Sequence, residues 1–138
     1  MRIRAVVMGL VMVAVLVVAG CAGETDADVE PEATVLDAEV DPLTVSGLVA
    51  DGEITVIDVR EDWEFAEGHI PGAVLIPLQS LPERLDEVPR DQPVVVACRS
   101  GNRSGQAFRF LEGEGFDNVS NMTGGMIAWR EHGLEVDK

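Results

Sequence analysis

PVVVACRSGNRS, residues 93–104, passes from a continuous apolar run through a short polar loop into a segment with a helical pattern. A run such as Pro93–Cys98 is typical of a strand buried on both faces of a parallel sheet, because helices cover both sides of such a sheet. The helix is predicted over Ser104–Glu112, so the polar residues between form a loop at the carboxyl end of the strand. Open α/β sheets bind ligands at that edge. The stretch therefore predicts both an α/β fold and the position of its functional site.

Strand and helix patterns alternate on both sides of this stretch. Strands are predicted near Val35, at Glu53–Asp58, at Val74–Ile76 and from Val119. Helices are predicted from Pro42 to about Gly52, around Trp63–Glu67, over Ser80–Val88 and over Met126–His132. This alternation implies an α/β domain with a central, mainly parallel five-stranded sheet flanked by helices.

The loop after the buried strand combines a cysteine with two arginines in a chain that is poor in cations. The sequence has 10 Lys+Arg against 25 Asp+Glu, a formal net charge of -15. Gly101 permits backbone angles that let the loop close into a ring of N–H groups around the sulfur of Cys98, and such a ring binds anions. Together with Arg99 and Arg103, this ring is expected to hold the pKa of the thiol below its ordinary value. Since the thiolate is the nucleophilic form, the loop is predicted to be a nucleophilic site.

Three blocks along the chain carry a family resemblance. They are VIDVREDWEFAEGHIPGAVLIPL (Val56–Leu78), VVVACRSGNRS (Val94–Ser104) and GGMIAWREHG (Gly124–Gly133). In this order they resemble the single-domain rhodaneses, which are sulfurtransferases, and the match extends from about residue 41 to 135. The resemblance implies that the cysteine takes the outer sulfur of a donor such as thiosulfate, becomes a persulfide, and passes that sulfur to cyanide or a thiol. No cofactor is expected.

The resemblance also implies roles for the residues of the loop. Cys98 is the nucleophile and persulfide carrier. Arg103 and the loop amides hold the anionic donor and stabilise the persulfide, whereas Arg99 occupies a position that varies in the family and tunes substrate preference. The predicted substrate-binding set is Arg99, Ser100, Gly101, Asn102, Arg103 and Ser104.

Residues outside the loop are expected to support it. Asp58 and Arg60 match the DVR element of the family and are predicted to form a structural ion pair or loop buttress, with direct substrate contact as the alternative. Trp129 is predicted to be a core aromatic, with a substrate platform as the alternative. Glu64 either supports the loop or lies on the solvated surface. His69 is predicted to be a hydrogen-bonded turn residue, because no second histidine or thiol lies nearby to complete a metal site.

Two other functions remain open on the same fold. The spacing here is Cys-x4-Arg, whereas Cdc25-type phosphatases have Cys-x5-Arg, and one residue fewer removes up to roughly 3.5 Å of chain from the ring. The tighter ring suits a terminal sulfur better than a phosphate. A rhodanese module can also carry or sense a persulfide, or only bind a partner, but the presence of Cys98, Gly101 and Arg103 favours the enzyme.

The N-terminal region predicts export and lipid anchoring. Met1–Arg4 carries two arginines, Ala5–Val18 is an unbroken apolar run, and small residues precede Cys21. This is the architecture of a signal peptide. The segment LVVAGC resembles a bacterial lipobox, which implies that residues 1–20 are removed and that Cys21 is acylated. An ordinary secretory leader and an uncleaved anchor are the alternatives.

Residues 21–40 are predicted to be an acidic tether before a rhodanese-like domain at 41–138. The expected location is the extracytoplasmic face of the cell membrane, held by the lipid on Cys21. The expected partners are a small anionic sulfur donor and a thiol or cyanide acceptor, and no protein partner is specified. A nucleic-acid partner is excluded by the charge of -15 and the single lysine, Lys138.

Overall fold

A computed structural model of the protein describes residues 33–138. Five strands form one sheet: β1 (Glu39–Val40), β2 (Thr55–Asp58), β3 (Val74–Leu75), β4 (Val94–Ala97) and β5 (Val119–Met122). Their order across the sheet is β1-β5-β4-β2-β3, and every pairing is parallel. The predicted α/β fold with a five-stranded sheet is therefore confirmed.

The helices that flank the sheet are α1 (Pro42–Ala50), α2 (Asp62–Ala66), α3 (Asn102–Gly113) and α4 (Gly125–Glu131). Helix α1 begins as the sequence predicts. Its N-cap carboxylate, on Asp41, accepts hydrogen bonds from the backbone N–H groups of Leu43 and Thr44 at 2.9 and 3.1 Å, and a proline in the first turn needs no such partner.

The central strand β4 separates two apolar layers. All four of its side chains are 0% exposed. Val94 and Val96 face the layer that includes α3, whereas Val95 and Ala97 face the layer that includes the buried residues of α1 and α4. This confirms that the apolar run is buried on both faces. It also places Cys98, the residue after β4, at the carboxyl end of the central strand.

The prediction of a strand near Val35 is wrong. Val35 lies in no strand and is 90% exposed. The first strand is β1, where Val40 pairs with Met122 of β5. The position of β1 is set by its pairing with β5, which lies near the other end of the domain sequence. The pattern of neighbouring residues does not record such a distant pairing. The sheet therefore begins two residues before residue 41.

The prediction of one α-helix over Ser80–Val88 is also wrong. The chain instead forms two short 3₁₀ segments, Leu78–Glu83 and Leu85–Glu87. Pro82 lies inside the first segment. Proline has no backbone N–H to donate, and its ring clashes with the preceding turn, so it interrupts regular α-helical hydrogen bonding. Leu81 is still buried, so the apolar contact that suggested a helix is retained in the tighter form.

The predicted signal peptide, Cys21 and most of the acidic tether lie outside the described residues. Within residues 33–138, no helix has both the length and the apolar character needed to cross a bilayer.

Candidate active site

The loop after β4 turns sharply into α3. Cys98 follows the strand directly, and Gly101, with φ of 97°, is the N-cap of the helix. This left-handed conformation is available to glycine at little cost. It starts α3 at Asn102, two residues before the predicted Ser104. Asn102 and Arg103, which were expected in the loop, therefore lie in the first helical turn.

The sulfur of Cys98 accepts two hydrogen bonds from this turn. The backbone N–H of Gly101 donates from 3.1 Å, and the hydroxyl of Ser104 donates from 3.3 Å. Burial of Cys98, which is 0% exposed, raises the pKa of its thiol. Hydrogen bonds from the Ser104 hydroxyl and from the backbone N–H groups of Ser104, Gly101 and Ser100 outweigh burial, so the pKa lies below its ordinary value. The lowered pKa agrees with the sequence-based expectation, and its main source is the hydrogen bonds of the loop.

Arg103 is engaged in an ion pair. Its Nη1 and Nη2 donate to the two carboxylate oxygens of Glu64 at 2.6 and 2.7 Å. Glu64 is only 7% exposed, and the hydrogen bonds from Arg103 lower its pKa to about 2. The sequence left Glu64 open between a support and a surface residue, and the structure places it as a support. In the structure Glu64 compensates the charge of Arg103, and the role of Arg103 in holding the anionic donor stays a prediction.

The other polar members of the predicted set differ in position. The side chains of Arg99, Ser100 and Asn102 are exposed, and Ser100 reaches the sulfur environment only through its backbone N–H. Arg99 lines a cavity of about 320 Å³ together with residues of α2 and α4.

Helix α4 holds the Cys98 loop from behind. The backbone N–H of Met126 donates to the carbonyl oxygen of Cys98 at 2.8 Å, and that of Ile127 donates to the carbonyl oxygen of Arg99 at 3.0 Å. A Cβ on Gly125 would lie 2.5 Å from the same Cys98 oxygen, so only glycine permits this approach. Sequence reasoning placed Gly124 and Gly125 only at the start of a motif block and missed this role. Two adjacent glycines before a helix were the available signal.

Asp58 and Arg60 form the predicted ion pair. Their side chains are buried and 2.7 Å apart. The remaining guanidinium N–H groups donate to the carbonyl oxygens of Glu64 at 3.1 Å and Gly68 at 3.0 Å. Removing either partner of a buried ion pair leaves an uncompensated charge, so the pair is costly to disrupt. Because Arg60 also bonds to the carbonyl oxygens of Glu64 and Gly68, it holds the segment that carries Glu64 in place.

Trp129 and His69 both form hydrogen bonds with backbone carbonyl oxygens inside the fold. Trp129 is buried, and its indole N–H donates to the carbonyl oxygen of Glu135 at 2.8 Å, as a core aromatic requires. Nδ1 of His69 lies 3.0 Å from the carbonyl oxygen of Phe65, and its ring stacks on the Phe65 ring. Between residues 33 and 138, no group of His, Cys, Asp or Glu side chains is arranged to hold a metal ion.

This geometry defines an α/β domain with a buried cysteine whose sulfur accepts hydrogen bonds from the following loop and helix start. The sequence profile of the rhodanese-like domain matches residues 41–132. A sulfurtransferase of Allochromatium vinosum is 42% identical over 99 residues, which are 71% of this chain and 92% of the relative. The thiosulfate sulfurtransferase of Pseudomonas entomophila is 35% identical over 91 residues, 66% of this chain and 83% of the relative.

A solved structure agrees with these relatives. The crystal structure of a rhodanese-related protein from Thermoplasma volcanium has a TM-score of 0.68 at 32% identity, covering 73% of this chain and 98% of that one. The chain therefore belongs to the rhodanese-like domain family, as its three motif blocks predicted.

Proposed function

We propose that this domain is a sulfurtransferase that moves a sulfane sulfur from an anionic donor such as thiosulfate to a thiol or cyanide, through a persulfide on Cys98. The observation that carries the proposal is the convergence of the Gly101 N–H and the Ser104 hydroxyl on Sγ at 3.1 and 3.3 Å. These donors favour the thiolate, and they remain in place to stabilise charge on an added sulfur. The sulfurtransferases among the relatives support the same class of reaction.

The reaction has two balanced half-reactions. The Cys98 thiolate forms a bond to the outer sulfur of thiosulfate while the S–S bond of thiosulfate breaks, and the electron pair leaves on sulfite. The acceptor then forms a bond to the outer sulfur of the persulfide, the persulfide S–S bond breaks, and its electron pair returns to Cys98 as thiolate. The sulfur of Cys98 has no exposed surface, so substrates reach it through movement of the loop rim formed by Arg99 and Ser100.

Intact-mass measurement on the full chain tests this proposal. Incubation with thiosulfate is expected to add one sulfur atom to the protein, and cyanide is expected to remove it with release of thiocyanate. Cys98→Ser is the control, because it retains Cys21 and identifies any sulfur added there. A wild-type chain that gains no sulfur would contradict the proposal.

A persulfide carrier is the second candidate, and the complete burial of Cys98 favours it. A buried sulfur is protected from free solutes and is released when a partner opens the loop. In the same experiment, a carrier forms the adduct but does not turn it over with cyanide or small thiols.

We also propose that Cys21 is the lipidated N-terminus of the mature protein, which anchors it on the extracytoplasmic face of the cell membrane. The lipobox-like LVVAGC segment and the acidic residues that follow it support this proposal. Acyl chains contribute about 0.8 kcal/mol per buried methylene, so two or more chains hold a protein stably on a bilayer. Cys21→Ala is expected to abolish palmitate labelling. Labelling that persists in this variant would exclude lipidation of Cys21.

A further inference from the structure

A second cavity, of about 350 Å³, lies at the amino ends of the central strands. Its walls are the N-terminal segment 33–36, the segment 90–93 that leads into β4, and the segment 117–119, where β5 begins. Because Cys98 follows the carboxyl end of β4, this cavity lies at the opposite edge of the sheet from the Cys98 loop. Its volume falls at the small end of the range for small-molecule sites, roughly 300–1,000 Å³.

Part of the edge of β5 faces this cavity without a partner strand. The carbonyl oxygen of Asn118 accepts a hydrogen bond from β4 at 2.8 Å, and the N–H of Asn121 donates to Ala38 on the β1 side at 2.8 Å. Alternate residues of β5 thus bond to opposite neighbours, so both backbone groups of Val119 point to the β1 side. Residues 33–37 form no backbone hydrogen bond with β5, and the gap between the two segments is the cavity.

The backbone of Val119 therefore has hydrogen-bonding capacity that the fold does not use. Val119 is only 8% exposed, and within residues 33–138 neither its N–H nor its carbonyl oxygen has a hydrogen-bond partner. Backbone groups in buried positions are nearly always paired, because an unpaired group there has given up its bonds to water. A molecule in the cavity that carries a hydrogen-bond donor would supply a partner for the carbonyl oxygen.

The walls of the cavity are held in place by the protein itself. The hydroxyl of Thr34 donates to the carboxylate of Glu53 at 3.1 Å, which ties the N-terminal segment to the residues after α1. Nδ2 of Asn118 donates to the carbonyl oxygens of Pro89 at 2.9 Å and Gln92 at 2.6 Å, which fixes the segment before β4 against the start of β5. The cavity is thus formed in advance, so a ligand does not have to order it on binding.

The charged residues of the cavity favour a cation. Arg90 already has partners, because its guanidinium stacks on the ring of Phe116 at 3.7 Å from the centroid and its Nη1 donates to the carbonyl oxygen of Gly115 at 3.2 Å. Asp91 and Asp117 also line the cavity, and among residues 33–138 neither forms an ion pair. Two uncompensated carboxylates, in a chain with a net charge of -15, attract a positively charged group.

Apolar side chains make up the rest of the lining. They include Val35, Leu36 and Pro93. Val35 is 90% exposed, which places apolar surface beside the carboxylates. A hydrated metal ion would gain nothing from such surface, whereas an aliphatic chain is stabilised by covering it.

We propose that this cavity is a binding site for a small aliphatic amine in its protonated form. The ammonium group donates to the carbonyl oxygen of Val119 and to the carboxylates of Asp91 and Asp117, and the carbon chain packs on the apolar walls. An ammonium group on a carbon chain has three N–H donors, which matches these three acceptors. The site is independent of the chemistry proposed for Cys98.

Backbone amide NMR of the full chain, titrated with pentylamine, tests the proposal. Chemical-shift changes are expected at Asn118 and Val119 and not at Gly101, with a Kd on the order of 1 mM. 1-Pentanol has the same chain without the charge, and it is expected to bind about tenfold more weakly, the size expected for loss of a charge-assisted contact. No change at Val119 up to about 10 mM pentylamine, or equal affinity for 1-pentanol, would overturn the assignment.

Substitution of one carboxylate tests the source of the affinity. Asp117→Asn is expected to weaken pentylamine binding about tenfold. Asp86→Asn is the matched control, because Asp86 is an exposed aspartate outside the cavity and its substitution changes the net charge by the same amount. It is expected to bind pentylamine as the wild type does.

Two results would contradict the site. Equal weakening in Asp117→Asn and Asp86→Asn would show that the amine responds only to the net charge, and unchanged affinity in Asp117→Asn would exclude the carboxylate contact. Sulfur loading of Cys98 requires no amine. A chain that binds pentylamine at Val119 but gains no sulfur from thiosulfate would therefore remove the proposed function and leave this site standing.

Discussion

Short-range hydrogen bonds lower the pKa of the Cys98 thiol. The Ser104 hydroxyl and the Gly101 N–H contact its sulfur, and both are carried by the turn that begins α3. The neighbouring Arg103 is held by Glu64 instead. Hydrogen bonds to a charged atom in a buried site are about twice as strong as those between neutral groups, so two or three of them can offset the loss of water around the sulfur.

Ser104→Ala tests this account of the thiolate. Removal of the hydroxyl is expected to raise the pKa of Cys98 and to slow persulfide formation about tenfold at neutral pH, since a hydrogen bond to a charged group contributes about 1.5–3 kcal/mol. The ultraviolet absorbance of the thiolate as a function of pH measures the first effect, and stopped-flow loading with thiosulfate measures the second. Ser46→Ala on α1 is the control. An unchanged titration in Ser104→Ala would show that the hydroxyl contributes nothing.

The Glu64–Arg103 pair predicts how stability depends on pH. Arg103 holds the pKa of Glu64 at about 2, against an ordinary value of 4.5. A carboxylate with a lowered pKa in the fold stabilises the fold above the ordinary pKa, and that contribution is lost as the pH falls towards the lowered value. Glu64→Gln removes the titrating group. Its unfolding free energy is therefore expected to lie below that of the wild type above pH 4.5 and to approach it as the pH falls to about 2.

Urea unfolding across that pH range measures the difference. Glu83→Gln, a change at an exposed glutamate, serves as control and is expected to follow the wild type throughout. A constant gap between the wild type and Glu64→Gln at all pH values would contradict the assignment of the pair.

Helix α4 and the Cys98 loop act as one unit. The N–H groups at the start of α4 bind the carbonyl oxygens of Cys98 and Arg99, which leaves the opposite side of the loop backbone free to present its N–H groups to the sulfur. The close approach depends on Gly125, whose φ of 57° also suits glycine. The geometry around Cys98 is therefore set jointly by two elements that lie more than twenty residues apart.

Gly125→Ala is expected to displace the loop. The new Cβ would meet the Cys98 carbonyl oxygen at 2.5 Å, and the positive φ adds roughly 1–2 kcal/mol of strain. Because a displacement of about 1 Å in an active site can cost about 100-fold in rate, sulfur transfer is expected to fall by that order while the protein remains folded.

The matched control is Gly47→Ala. Gly47 lies within α1, and a Cβ added there would have no neighbouring atom within 4 Å. This variant is expected to gain about 0.5–1 kcal/mol of stability with unchanged transfer, because alanine loses less backbone entropy than glycine in a helix. Thermal unfolding and steady-state transfer rates compare the two variants. Equal activity in both would show that close packing of α4 on the loop is dispensable.

The whole chain has one further property that bears on activity. Cys98 is the only cysteine among the described residues, so no second thiol there can resolve an oxidised sulfur. The proposed export would place Cys98 in an oxidising environment. A thiolate with a lowered pKa is the form that oxidises to a sulfenic acid or a mixed disulfide.

Pretreatment with a reductant is therefore expected to raise the transfer rate of the protein as purified. The measurement compares initial rates before and after reduction, with intact mass to identify the modification that is lost. Equal rates, together with an unmodified Cys98 before reduction, would show that burial alone protects the thiol.

The sequence determined the class of fold, most of the elements and the position of Cys98 at the end of β4. The β4 pattern, the Asp41–Pro42 helix start and the three motif blocks all act within short windows, where burial and capping leave a direct periodic or compositional record. That is why β4, α1 and the position of Cys98 follow from the residues alone. The predictions of a strand near Val35 and of a helix over Ser80–Val88 were wrong. The first strand is determined by pairing with β5, and Pro82 prevents a regular α-helix in the second segment.

The partners within the site required the folded chain. Glu64 and Arg103 lie 39 residues apart, and the contact of α4 with the Cys98 loop also joins segments that are distant along the chain. Their contacts depend on the directions of individual N–H groups and carboxylates in space, which leave no periodic trace along the sequence. The residue types therefore pointed to a reactive thiol at Cys98, whereas three-dimensional packing settled which groups bond to its sulfur. Among residues 33–138, packing also left Arg99 and Arg130 without ion pairs.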